Sequence, residues 1–193
     1  MEIPGRILIG TMSAAVMFVS ACGGEQTDAM PEAGSAEEAP APSEAWPASS
    51  LQPDTTGAAI WTHLHENDYE SWATWPEMGE LYEGQEPHGA QLTTRLNDVA
   101  AEALAAGSSS FPEGSLIVKE NYMPDGSLGA LTTMYKVPGY NPEEGDWFYT
   151  KHLANGELDQ MNGMSMEGRV PGCVGCHQSV ADNDYVFTGE LGR

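Results

Sequence analysis

The sequence predicts an α+β fold, an antiparallel β-sheet with two or three packed helices. Apolar residues recur at helical spacing early in the folded part. Two β-rich runs then flank Pro124-Asp125-Gly126, a tight-turn sequence that marks a hairpin. A further apolar run ends at Asn155-Gly156, another strong turn signal.

The folded part should begin near Asp54-Thr55-Thr56, which offers helix N-cap oxygens. Ile60, Trp61, Leu64 and Trp72 then predict one amphipathic helix ending before Pro76. A loop rich in Gly, Glu and Pro runs to Gly89, and residues 91–96 read as a strand. Asn97 is placed to cap a short helix over 98–106, stopped by Gly107. Strands are expected at 115–122, 128–137 and 146–153, the last turning through Asn155-Gly156 into Glu157-Leu158. A Met- and Gly-rich loop, 161–168, leads to a cysteine motif at Cys173.

The chain before this domain reads differently. Arg6 precedes an apolar run, 7–19, too short for a comfortable membrane span. The run closes on Val19-Ser20-Ala21-Cys22, which resembles a bacterial lipobox, so residues 1–22 are expected to be a lipoprotein signal peptide with Cys22 as the lipidated residue. Two acyl chains hold a protein stably at a membrane. Gly23 after the cysteine resembles outer-membrane sorting, which predicts an exported protein anchored at the periplasmic face of the outer membrane. Residues 23–54 are Ala, Pro, Glu, Ser and Gly with no Lys or Arg, too little apolar side chain to offset ordering entropy. They predict a disordered acidic tether, which leaves 55–193 as the domain.

Twenty-nine acidic side chains against seven basic ones give a formal charge of −22. That field excludes nucleic acid as a partner and favours neutral or cationic small molecules and basic proteins.

Cys173-Val174-Gly175-Cys176-His177 is the strongest chemical signal. Two thiols at this spacing reach the two vinyl groups of one porphyrin, and the next residue supplies an imidazole to its iron. The rival readings, a redox disulfide and half of a zinc site, want a βαβ context or two more ligands nearby. One covalent haem c is therefore expected, with Cys173 and Cys176 as anchors and His177 as the iron's axial ligand. Only sixteen residues follow His177, none of them Met or His, so any second ligand must come from upstream. His63, His65, His88 and His152 are on offer, but nothing local marks any of them as a ligand. Met161, Met164 and Met166 lie too near the motif to wrap around a haem. The expectation is five-coordinate iron with an open side.

Several ordered segments carry a family resemblance. They are the run Phe111-Pro112-Glu113-Gly114-Ser115-Leu116-Ile117-Val118-Lys119-Glu120-Asn121-Tyr122, then Met134-Tyr135-Lys136, Asp146-Trp147-Phe148, the cysteine motif, and Asp184-Tyr185-Val186-Phe187-Thr188. Together they resemble the cytochrome P-460 family, which includes the cytochromes c′-beta, from about Gly57 to the C-terminus. The resemblance implies a largely β fold, often a homodimer, with one haem open on its distal side. P-460 members oxidise hydroxylamine and bond a lysine to a meso carbon of the porphyrin. Lys119 stands at that lysine's place. The c′-beta members lack the bond and bind nitric oxide without known turnover. The resemblance thus implies a hydroxylamine-oxidising haem enzyme delivering electrons to a redox protein. A nitric oxide binder and a periplasmic electron-transfer cytochrome c are the alternatives.

Strand alternation puts Lys119 on one face with Ile117 and Asn121, opposite Leu116 and Val118. Against a porphyrin edge its amine would be desolvated toward the neutral, nucleophilic form. At an open strand edge it would be an ordinary lysine reaching for water. Tyr135, Trp147, Phe148 and Tyr149 are candidates to wall the iron, and the loop Glu86-Pro87-His88-Gly89 a candidate outer contributor.

Overall fold

A computed structural model of the chain describes residues 52–187, 189 and 191. The expected signal peptide with Cys22, and the expected tether up to residue 51, lie outside the described residues. Among the described residues no helix is long and apolar enough to cross a membrane.

Helix α1, Gly57–Glu66, starts where the Thr56 hydroxyl accepts the Ala59 N–H at 3.2 Å. It is shorter than the apolar spacing suggests. Asn67 caps it, and Asp68 takes a left-handed φ of 48°, which a continuing helix cannot accommodate. Trp72 instead leads into a short strand β1, Ala73–Thr74, and donates its indole N–H to the Asn67 carbonyl at 3.0 Å. The predicted loop that follows contains a second short strand, β2, Tyr82–Glu83. Strand β3, Gln91–Leu96, and helix α2, Asp98–Ala105, form as expected around the Asn97 cap.

Strands β4, Leu116–Tyr122, and β5, Leu128–Lys136, make the predicted hairpin, and β6, Trp147–Leu153, pairs beside them. The region expected to be a Met- and Gly-rich loop is more ordered than that. It holds a miniature hairpin, β7, Gln160–Met161, and β8, Met164–Ser165, whose turn residues Asn162 and Gly163 both have positive φ. An edge strand follows, β9, Glu167–Gly168, paired with β6. The main sheet runs β1-β3-β4-β5-β6-β9, antiparallel at every pairing, with β2 also on β3. Helix α3, Pro171–His177, carries the cysteine motif.

The two faces of this sheet bury different things. Leu116 and Val118 of β4, Leu131 and Tyr135 of β5 and Phe148 of β6 pack beneath Ile60 and Leu64 of α1. Each such aliphatic side chain contributes roughly 1.5–3 kcal/mol by leaving water. The other face carries Ile117, Met134 and Tyr149, covered by Ala100 and Ala103 of α2 and by Val174 of α3. The sheet is thus clothed by helices on both sides.

Asn97 ties α2 to the sheet. Its Oδ1 accepts the N–H groups of Ala100 and Leu116, both at 3.0 Å, and its Nδ2 donates to the Gly114 carbonyl at 2.9 Å. His152 is buried on the α1 side, 5.2 Å from the Trp61 ring between centroids, and its Nε2 has no hydrogen-bond partner among the described residues. Burial holds its pKa below the ordinary value, so the folded state resists protonating it.

Asn97→Ala should cost about 1–3 kcal/mol in urea unfolding, because it removes a cap and strands two buried donors at once. A second expectation concerns acid. The unfolded chain protonates His152 near pH 6.5 while the folded state does so only lower, so this contribution is complete above pH 6.5 and is lost as pH falls. The stability difference between pH 7 and pH 5 should therefore be smaller in His152→Gln than in the natural chain.

Candidate functional site

Beneath α3, on the sheet face away from α1, lies a cleft with about 470 Å³ of atom-free space, continuous with solvent. Ile117 and Lys119 of β4, Thr132 and Met134 of β5 and Tyr149 of β6 form one wall. Cys173 and His177 of α3 form another, with Val186 and Phe187 beside them and His88 contributing from a loop.

His177 ends α3 with its ring buried, and the cause of its orientation is specific. Its Nδ1 lies 2.6 Å from the Tyr185 carbonyl oxygen. A carbonyl only accepts, so Nδ1 carries the hydrogen and Nε2 keeps a lone pair. An imidazole oriented through its other nitrogen in this way is the usual arrangement for a metal ligand. Tyr149 stacks obliquely on the ring at 5.3 Å and Phe187 meets it edge-on at 5.2 Å. Desolvation lowers the His177 pKa, which keeps that lone pair available.

The accepting carbonyl is itself held under strain. Asp184 and Tyr185 have φ of 50° and 65°, a region side chains seldom adopt. Asp184 fixes them. Its carboxylate takes the Lys136 ammonium at 2.6 Å and the Phe111 N–H at 2.8 Å, while its carbonyl accepts the Trp147 indole N–H at 2.9 Å. Lys136 also lies over the Trp147 ring, 4.6 Å from its centroid.

Cys173 and Cys176 are free thiols one helical turn apart, Cys173 half-buried in the cleft and Cys176 exposed. Among the described residues no three His, Cys, Asp or Glu side chains converge as a metal site.

Lys119 points into the cleft from the face it shares with Ile117, as strand alternation requires. It is mostly buried, and its Nζ has neither an ion-pair nor a hydrogen-bond partner among the described residues. Burial alone pushes its pKa down to about 8. The reading of Lys119 as a lysine at an open edge therefore does not hold, since β4 is an inner strand of the sheet.

Of the four aromatics expected to wall the site, only Tyr149 does so. Its hydroxyl is buried without a hydrogen-bond partner among the described residues. Tyr135 and Phe148 belong to the α1 face, because they sit one residue out of phase with Met134 and Tyr149. Trp147 is fully buried in the core and is engaged by Asp184. His88 is the upstream histidine that does line the cleft, whereas His63, His65 and His152 do not. Thr132 and Met134 were not singled out from sequence; they follow once Lys119 and Ile117 are known to pair with them.

Lys119, His177 and the half-buried Cys173 line one space. With an apolar floor between them, they fit a flat, largely apolar group carrying a metal at its centre. Fold and site together define a c-type haem cytochrome. The family model for cytochrome P460 matches residues 66–188, and the chain belongs to that family. Membership brings haem c with its iron. A comparison with curated proteins finds no match.

Asp184→Ala should cost about 3–5 kcal/mol in urea unfolding, because it leaves Lys136 unpaired in a mostly buried position. Adding Lys136→Met should recover part of that loss, so the double variant should be more stable than the sum of the two single changes implies.

Proposed function

We propose that Cys173 and Cys176 bind a single haem c as thioethers, that His177 Nε2 is its axial ligand, and that Lys119 adds a further C–N bond to the macrocycle edge, replacing one amine N–H and one ring C–H and giving two electrons and two protons to an external oxidant. On this reading the protein binds and oxidises hydroxylamine or a related nitrogen species and passes the electrons to a redox protein. The observation that carries it is Lys119, a buried, unpartnered amine with a depressed pKa on the cleft wall. When bound, the haem supplies a redox-active iron with one coordination position open to small ligands.

The chain's own groups have separable tasks. Tyr185, through its carbonyl, orients His177 and raises its strength as a donor. Burial lets Lys119 give up its proton at a lower pH than an exposed lysine does, which eases the bond formation that a neutral nitrogen requires. Val186, Phe187, Met134 and Ile117 keep the cleft apolar and limit what enters. The acidic surface suits a basic electron acceptor, whose approach it would steer. Cys22 would anchor the protein by lipid at the periplasmic face of the outer membrane, and a homodimer accords with the family resemblance.

A nitric oxide binder without turnover is the second reading, favoured by the same apolar lining if Lys119 stays unbonded. The two part on one measurement. Proteolysis of the haem-loaded protein followed by mass spectrometry should leave the Lys119 peptide attached to the macrocycle together with the Cys173–Cys176 peptide. Lys119→Ala should lose that attachment, restore an ordinary haem c Soret position, and lower hydroxylamine oxidation by about 10- to 100-fold. A natural protein whose Lys119 peptide separates freely, and which does not turn over hydroxylamine, is the gas binder instead.

A further inference from the structure

The cleft has a base, and it is not a carboxylate. Although the chain holds 29 acidic residues, no Asp or Glu is among the described residues that line the cleft. The unbonded nitrogen bases there are the Lys119 amine, assigned above to the macrocycle, the His177 Nε2, assigned to the iron, and one imidazole nitrogen of His88.

The tautomer of His88 can be worked out from Asn121. That side chain is buried beside Lys119 and Ala130. Its Nδ2 lies against three oxygens, the Lys119 carbonyl at 2.8 Å, the Ala130 carbonyl at 3.1 Å and the Thr132 hydroxyl at 3.2 Å, acceptors enough for both amide hydrogens, which fixes the amide's orientation. Its Oδ1 can then only accept. The His88 Nδ1, 3.0 Å away, must therefore carry the hydrogen. In a neutral ring this leaves Nε2 unprotonated, and Nε2 has no partner among the described residues.

Burial and the Lys119 charge push the His88 pKa down to about 4, so the ring is neutral throughout the physiological range. Loss of the Lys119 charge on bonding would remove the largest of the charge effects on the ring and make the imidazole more basic.

We propose that His88 is the hydrogen-bond acceptor of the ligand site, presenting its Nε2 to a small protic nitrogen ligand, one with N–H or O–H groups such as hydroxylamine, in preference to an aprotic diatomic. The inference rests on the function proposed above and narrows its substrate class. Oxidation of such a ligand releases protons as well as electrons. The electrons leave to the external redox protein, and His88 is the first group in the cleft able to take up a proton.

The test compares hydroxylamine with nitric oxide, both titrated optically into the ferric, haem-loaded protein. His88→Leu should lower the ratio of hydroxylamine to nitric oxide affinity by at least about tenfold, the loss of one buried hydrogen bond. His88→Gln, which keeps a side-chain acceptor, should restore part of it. A ratio within about threefold of the natural protein's in His88→Leu overturns the inference. So does a natural ferric spectrum of low-spin, two-imidazole type that becomes high-spin on substitution, because His88 would then be an iron ligand. If the natural protein binds no hydroxylamine, the proposed function falls and this inference with it; normal binding with an unchanged ratio sinks this inference alone. Should the variants fail to load haem, imidazole nitrogen NMR of the natural ferrous, carbon monoxide-bound protein decides the point. Hydrogen on Nδ1 supports the assignment, and hydrogen on Nε2 overturns it.

Discussion

Strand β4 is paired along both edges and covered on both faces, so every one of its side chains has a fixed destination. Leu116 and Val118 go to the apolar layer under α1, while Ile117 and Lys119 go to the cleft. A slip of one residue would exchange these sets, bringing an ammonium into the apolar layer and two aliphatic side chains into the cleft. The penalty for that exchange is what makes the register firm. The site's geometry inherits its accuracy from core packing, not from a network of polar contacts around Lys119.

The hairpin that sets this register contains an irregularity. Tyr122 pairs with Leu128, but Asn121 pairs with Ala130, so one residue of β5 bulges between them. Without the bulge, Lys119 would face Leu131; with it, Lys119 faces Thr132. The same position brings the Asn121 side chain within reach of His88.

This bulge also marks where sequence reasoning stops. The strands, the Asn97 cap and the cysteine motif were legible because each has a local cause: alternation, a capping oxygen, a fixed spacing. Lys119's side was legible for the same reason. Its partners were not, because the turn at Pro124-Asp125-Gly126 announces a hairpin without announcing an extra residue. The early end of α1 was missed because Trp72 keeps helical spacing with Leu64 and is pulled away by pairing of the next two residues with β3. His88 reaches the cleft from an irregular loop through side-chain contacts with Asn121 and Thr132, and no periodicity foretells that. Tyr135 and Phe148 were misassigned because aromatic character says nothing about phase, whereas strand parity does.

The position of α3 in the chain has a consequence for assembly. It follows every strand of the sheet, and the segment that orients His177 comes later still. During vectorial synthesis every strand of the sheet is made before α3, so the helix that carries the cysteine motif arrives at a wall whose residues are already present. The floor of the cleft can take shape first, and packing of Val174 against it, with the contacts of Asp184 to Lys136 and Phe111, then fastens α3 and the segment after it in place.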